Sequence, residues 1–160
     1  MGIESFGVTY TNERSPDVEI IRSALARYGV SQWSKRQDNE FEGVLSPNIP
    51  IEVKIWQLDA RASHMSFRFA LVNPPAIDEE FYEIVNWSVE RWPGELRLMS
   101  SLEMETPLPS SDWKFKRAEV LREIELLRKQ WFEICGGDYM VSSVGQAVAE
   151  MLKRIRARNP

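Results

Sequence analysis

Residues 49–71, IPIEVKIWQLDARASHMSFRFAL, hold two runs of strict alternation on either side of a polar break. Ile49, Ile51, Val53 and Ile55 take every second position of the first run, and Met65, Phe67, Phe69 and Leu71 do the same in the second. Because side chains on a strand point alternately to its two sides, each run predicts an extended segment with one apolar face. Asp59 to Ser63 then predicts the turn of an antiparallel pair. Glu52, Lys54, Trp56, His64, Ser66 and Arg68 share the other, mixed face, which is expected to be wet. A sheet with one apolar face needs a second layer to cover it. The flanking sequence must supply that layer.

Helix signals lie on both sides. Ser15 suits an N-cap, Pro16 the first helical position, Asp17 and Glu19 the positive end of the dipole, and Gly29 the terminating left-handed turn. A helix from Pro16 to Tyr28 therefore buries Val18, Ile21, Leu25 and Tyr28 on one side. Downstream, Asn73-Pro74-Pro75 stops the sheet strand, and Asp78 is the expected cap of a helix whose inward stripe is Phe81, Ile84, Val85, Ser88 and Trp92. Pro93-Gly94 ends it. The longest helix is expected from about Trp113 to Cys135, capped by Asp112 and terminated by Gly136-Gly137. A last helix follows Ser143, whose spacing to Gln146 is a capping box.

Further strands are expected at Phe6 to Thr11, at 31–36 and 41–45 around Gln37-Asp38-Asn39-Glu40, and from Leu96 to Met104. The order βαββββαβαα has too few alternating units for a doubly wound parallel fold. It predicts a single α+β domain over residues 1–160: a two-layer sandwich, mainly antiparallel, of five or six strands with helices on one face.

Composition limits the function classes. Six tryptophans accompany one histidine, His64, and one cysteine, Cys135, so the chain is rich in contact surface and poor in the usual catalytic and metal-ligating groups. No cofactor or metal site is expected from that set. One cysteine excludes an internal disulfide, and no apolar run approaches a membrane span or a signal peptide, which predicts a cytoplasmic protein with no membrane partner. Net charge is −4, with eight acids between Asp78 and Glu105 against Arg91 and Arg97. The basic cluster Lys153, Arg154, Arg156 and Arg158 is too narrow for a nucleic-acid stripe.

No catalytic residue is nominated. His64 is out of phase with the apolar strand positions, and Cys135 sits at a helix C-terminus, whose negative character disfavours thiolate. The acid pairs Glu80/Glu83 and Glu103/Glu105 have uninformative spacing, so a carboxylate-based hydrolase is only a secondary reading. Recognition has a better candidate. In Glu79 to Leu98, Trp87 falls off the inward stripe and shares the outward side of its helix with Glu83 and Glu90. Trp56 faces outward from the sheet, so the expected partner contacts are Trp87, Glu83, Glu90 and Trp56. On that basis Trp87→Ala is expected to weaken binding with little effect on stability.

In general character, small, acidic, cytosolic, with aromatics among acids and no catalytic motif, the chain resembles bacterial immunity proteins that neutralise toxins. That likeness is one of class, with no shared motif. It implies a protein partner, a toxin; the acids around Trp87 suit one with a basic surface, and a secreted effector is the partner under a chaperone reading. The same character also suits a secretion chaperone, which is expected to be a homodimer, or a small-ligand sensor with an enclosed apolar cavity.

Overall fold

In the computed structural model, which describes residues 5–158 apart from 13, 15, 38, 46–49 and 100–106, the two alternating runs pair antiparallel as β4 (Glu52–Leu58) and β5 (Arg61–Ala70). Val53 stands opposite Phe67 and Ile55 opposite Met65, and all four side chains are wholly buried. The turn is tighter than expected. Arg61 and Ala62 stay in the ladder against Leu58 and Gln57, and Asp59 takes a positive φ of 58°, a conformation that Asp tolerates better than most residues. Ile49, the first residue of the alternation, lies outside the described residues.

On the far side of β5 lies β1 (Ser5–Asn12), with Phe6 opposite Phe69, Val8 opposite Phe67 and Tyr10 opposite Met65. β6 (Gly94–Leu98) follows, and then β7 (Leu108–Pro109), which is only two residues long. At the other edge, β2 (Ser31–Gln37) and β3 (Glu40–Val44) form the hairpin expected around Gln37 to Glu40. The sheet order is β2-β3-β4-β5-β1-β6-β7, antiparallel throughout. It has one strand more than the largest number expected. The second half of the strand expected from Leu96 to Met104, including Glu103 and Glu105, falls in 100–106, outside the described residues.

Helices α1 (Val18–Tyr28) and α2 (Ala76–Arg91) cover the apolar face. Phe81 of α2 packs its ring 5.5 Å from Phe6 and 5.0 Å from Phe69, and Arg22 of α1 lies over Phe41. Each wholly buried aromatic contributes about 1.5–3 kcal/mol relative to exposure. Three helix starts differ from expectation. α1 begins at Val18 because the Pro16 carbonyl accepts from Ala62 N–H of β5, leaving Asp17 to cap by accepting from Glu19 N–H at 2.8 Å. Ser15 lies outside the described residues. α2 begins at Ala76, so Asp78 is no cap; it sits in the first turn, buried and held by Arg128.

The long helix is split into α3 (Ser110–Trp113) and α4 (Arg117–Cys135). Trp113 is the cause. It is wholly buried and stacked on Tyr82 at 5.2 Å, and its carbonyl accepts from both the Tyr82 hydroxyl and Lys116 N–H. That carbonyl closes a turn in place of a continuing α-helix. α5 (Val144–Arg158) starts as expected: Gln146 N–H donates to Ser143 Oγ, and Ser143 N–H donates to Gln146 Oε1.

α4 rests on α2 through Arg128 and Asp78. Buried Asn73, in the turn between β5 and α2, then ties down the chain before α5 by donating to the Ser142 carbonyl and accepting from Ser142 N–H. That tie brings Val144 N–H to 3.2 Å from Glu52, on the sheet face away from α1 and α2. The architecture is the α+β sandwich that the alternation predicts, with the start of α5 reaching the opposite rim. Among the described residues, no helix is long and apolar enough to cross a membrane.

Candidate functional site: an aromatic cluster with an acidic ridge

Residues 80, 83, 87 and 90 are spaced by three or four along α2 and so share one stripe of its surface. Phe81, Ile84, Val85 and Ser88 turn the other way and are buried. Two neighbouring elements deliver aromatic partners to that stripe. α1 ends at Tyr28 because Gly29, at φ 129°, turns the chain and donates back to the carbonyls of Ala26 and Leu25. Just past the end of α2, Trp92 N–H donates to the Ser88 carbonyl, and Pro93-Gly94 leads the chain into β6. Only glycine fits at 94, where a Cβ would strike the Thr11 carbonyl.

These constraints converge on Trp87. Its ring lies 4.9 Å from Tyr28 and 5.8 Å, edge to face, from Trp92. The Arg91 guanidinium sits over it at 3.9 Å and also donates to the Trp87 carbonyl. All three aromatic rings are half-buried. Glu80, Glu83 and Glu90 are exposed around them; Glu90 accepts from Asn86, while Glu80 and Glu83 have no ion-pair partner among the described residues. Burial raises the Tyr28 hydroxyl above its ordinary range, and the charges of Glu80 and Glu83 raise it further. The packing also revises one expectation: Trp87 touches two aromatic neighbours, so its removal costs stability as well as surface.

Trp56 lies elsewhere. It projects from β4 on the sheet face away from α2 and stacks on His64 of β5 at 4.4 Å with a 16° interplanar angle. Beside it, Lys54 pairs with Glu40 at 3.0 Å. Thus Trp87, Glu83 and Glu90 come together, whereas Trp56 belongs to a separate surface. His64 is half-buried under that stack, and desolvation lowers its pKa below the ordinary imidazole value. Ser63 Oγ is its hydrogen-bond neighbour at 3.1 Å, and no carboxylate pairs with it among the described residues. Cys135 is buried at the C-terminal end of α4.

Sequence reasoning missed Tyr28, Glu80 and Trp92 as members of the cluster; Trp92, expected on the inward stripe of α2, stands just past the helix end, half-buried against Trp87. Tyr28 reads as part of the buried stripe of α1, and only the packing of α1 beside α2 shows its ring meeting Trp87. Glu80 stands three residues before Glu83 on the same stripe, so the helical period alone was signal enough. Among the described residues, no three His, Cys, Asp or Glu side chains converge as metal ligands. No known family model, curated protein or solved structure matches the chain.

Proposed function

We propose that this chain is a protein-binding module that engages a basic protein surface through the Tyr28–Trp87–Trp92 cluster, in the manner of an immunity-type inhibitor of a toxin. The observation that carries the reading is the pairing of half-exposed aromatics with Glu80 and Glu83, two exposed carboxylates without counter-charges among the described residues. Tryptophan and tyrosine bring large contact area with few rotors to freeze, and they are enriched where binding energy concentrates. Unpaired acids around them favour a positively charged partner and speed its encounter. Arg91 then shields the Trp87 ring in the free protein and is displaced, or repacked against a carboxylate, when a partner docks.

The test is affinity capture from the native host with the wild-type chain and with Glu80→Lys/Glu83→Lys. Both substitutions are on exposed positions, so the fold is expected to survive; urea midpoints verify this. A stoichiometric basic protein retained by the wild type and lost from the double variant supports the reading. Retention of the same partner by both at equal yield refutes the proposed surface.

A further inference from the structure

On its other flank, α2 faces α4 across a groove of about 780 Å³. That size suits a side chain or a small ligand, since ligand pockets occupy roughly 300–1,000 Å³. Leu121 and Phe132 of α4 line it at helical spacing, together with Pro75 and Tyr139. Gly137 packs tightly on Phe132, where a Cβ would stand 2.8 Å from the ring. The Phe132 and Tyr139 rings meet edge to face at 4.9 Å, and Tyr139 remains half exposed. The lining is aromatic and aliphatic, with one accessible π-system.

Its charge leans acidic. Asp78, Glu79, Glu125 and Glu133 line the groove against Arg128 and Lys129. Asp78 and Arg128 satisfy each other deep inside, and Glu79 is held by Arg117 at 2.5 Å. Glu125 and Glu133, both exposed, remain without ion-pair partners among the described residues and outnumber Lys129. A cation with an aliphatic body complements such a site: its stem covers apolar rings, and its head finds carboxylates and a π-face.

We propose that the α2–α4 groove receives a lysine or arginine side chain of the protein partner, with its stem on Leu121 and Phe132 and its charge at the acidic rim that Glu125 and Glu133 form beside Tyr139. This inference rests on the reading of the chain as a binder of basic proteins. The geometry also makes one surface of the two features. Glu79 borders the groove while Glu80 and Glu83 border the Trp87 cluster, so the exposed ridge of α2 runs between them and a single basic partner spans both.

The probe is n-butylguanidinium, with n-butanol as the uncharged control, titrated into the full chain and followed by NMR at the Leu121 methyls and the Phe132 and Tyr139 rings. The expected result is saturable shifts with the guanidinium compound alone, weakened about 2- to 5-fold in Glu125→Gln/Glu133→Gln, the range for exposed charge pairs. Equal shifts with n-butanol, non-saturating shifts, or unchanged affinity in the double variant overturn the proposal. With a captured partner, loss of affinity in Glu125→Gln/Glu133→Gln supports the groove. No loss there, while Glu80→Lys/Glu83→Lys abolishes binding, overturns the groove and leaves the protein-binding reading standing. No loss in either variant overturns the groove and the Trp87 surface alike.

Discussion

Arg128→Met is predicted to be among the most damaging single changes outside the aromatic core. Arg128 is 4% exposed and forks both carboxylate oxygens of Asp78, itself 7% exposed, while its Nε donates to the Leu71 carbonyl at 3.2 Å. One guanidinium therefore joins α4, the first turn of α2 and the turn that follows β5. Removing it strands a buried carboxylate, a defect that costs about 3–5 kcal/mol. For a chain of this length that lowers Tm by about 6–20 °C.

The pH dependence identifies the cause. Burial already raises the Asp78 carboxyl above its ordinary value against the opposing pull of Arg128, and removing Arg128 raises it further. A carboxyl whose pKa is higher folded than unfolded destabilises the fold above the ordinary carboxylate range, and the penalty fades as pH falls and the group protonates. Urea unfolding followed by tryptophan fluorescence, at neutral and at acid pH, reads both effects. Asp78→Leu/Arg128→Met should recover most of the loss, because replacing both charges removes the stranded one. A deficit under about 1 kcal/mol at neutral pH, a deficit that is flat with pH, or a double variant worse than the single one refutes the reasoning.

Trp87→Ala, which loses two aromatic contacts, should destabilise by about 1–3 kcal/mol in urea titrations and also lower partner affinity; Trp87→Phe should recover most of the stability. His64 should titrate below about 6.5 in NMR, and Trp56→Ala, by uncovering the ring, should move it back towards that ordinary value. Because the folded pKa is depressed, the stability linked to His64 is present above the ordinary imidazole pKa and is lost as pH falls through the folded value. Glu52, raised by burial although it accepts from Val144 N–H, has the opposite sign: relative to Glu52→Gln, the wild type should gain stability as pH falls from about 7 towards 4, measured as the difference in urea midpoints.

The alternation in residues 49–71 was legible because burial on one sheet face leaves a period of two in the chain itself, and β4 pairs with β5 in that register. The Ser143/Gln146 capping box was equally readable, since its partners lie three residues apart. What failed was non-local. Asp78 looks like a cap because acids favour helix starts, but Arg128, fifty residues away, draws it into the interior. Trp113 looks like the first residue of a long helix, but its stack on Tyr82 turns the chain there. For the candidate site, the outward stripe of Glu83, Trp87 and Glu90 followed from helical period alone. That Trp56 belongs to another surface, and that Tyr28 joins Trp87, depended on which side of the sheet each element occupies.

Oxidative footprinting of the free protein and of its complex with the captured partner tests the central claim most directly, because it reads tryptophan and tyrosine side chains one by one. Protection of Tyr28, Trp87 and Trp92, with Trp56 oxidised at the same rate in both states, is the predicted result. Protection of Trp56 with Tyr28, Trp87 and Trp92 unchanged would place the partner on the opposite face of the sheet and contradict the account.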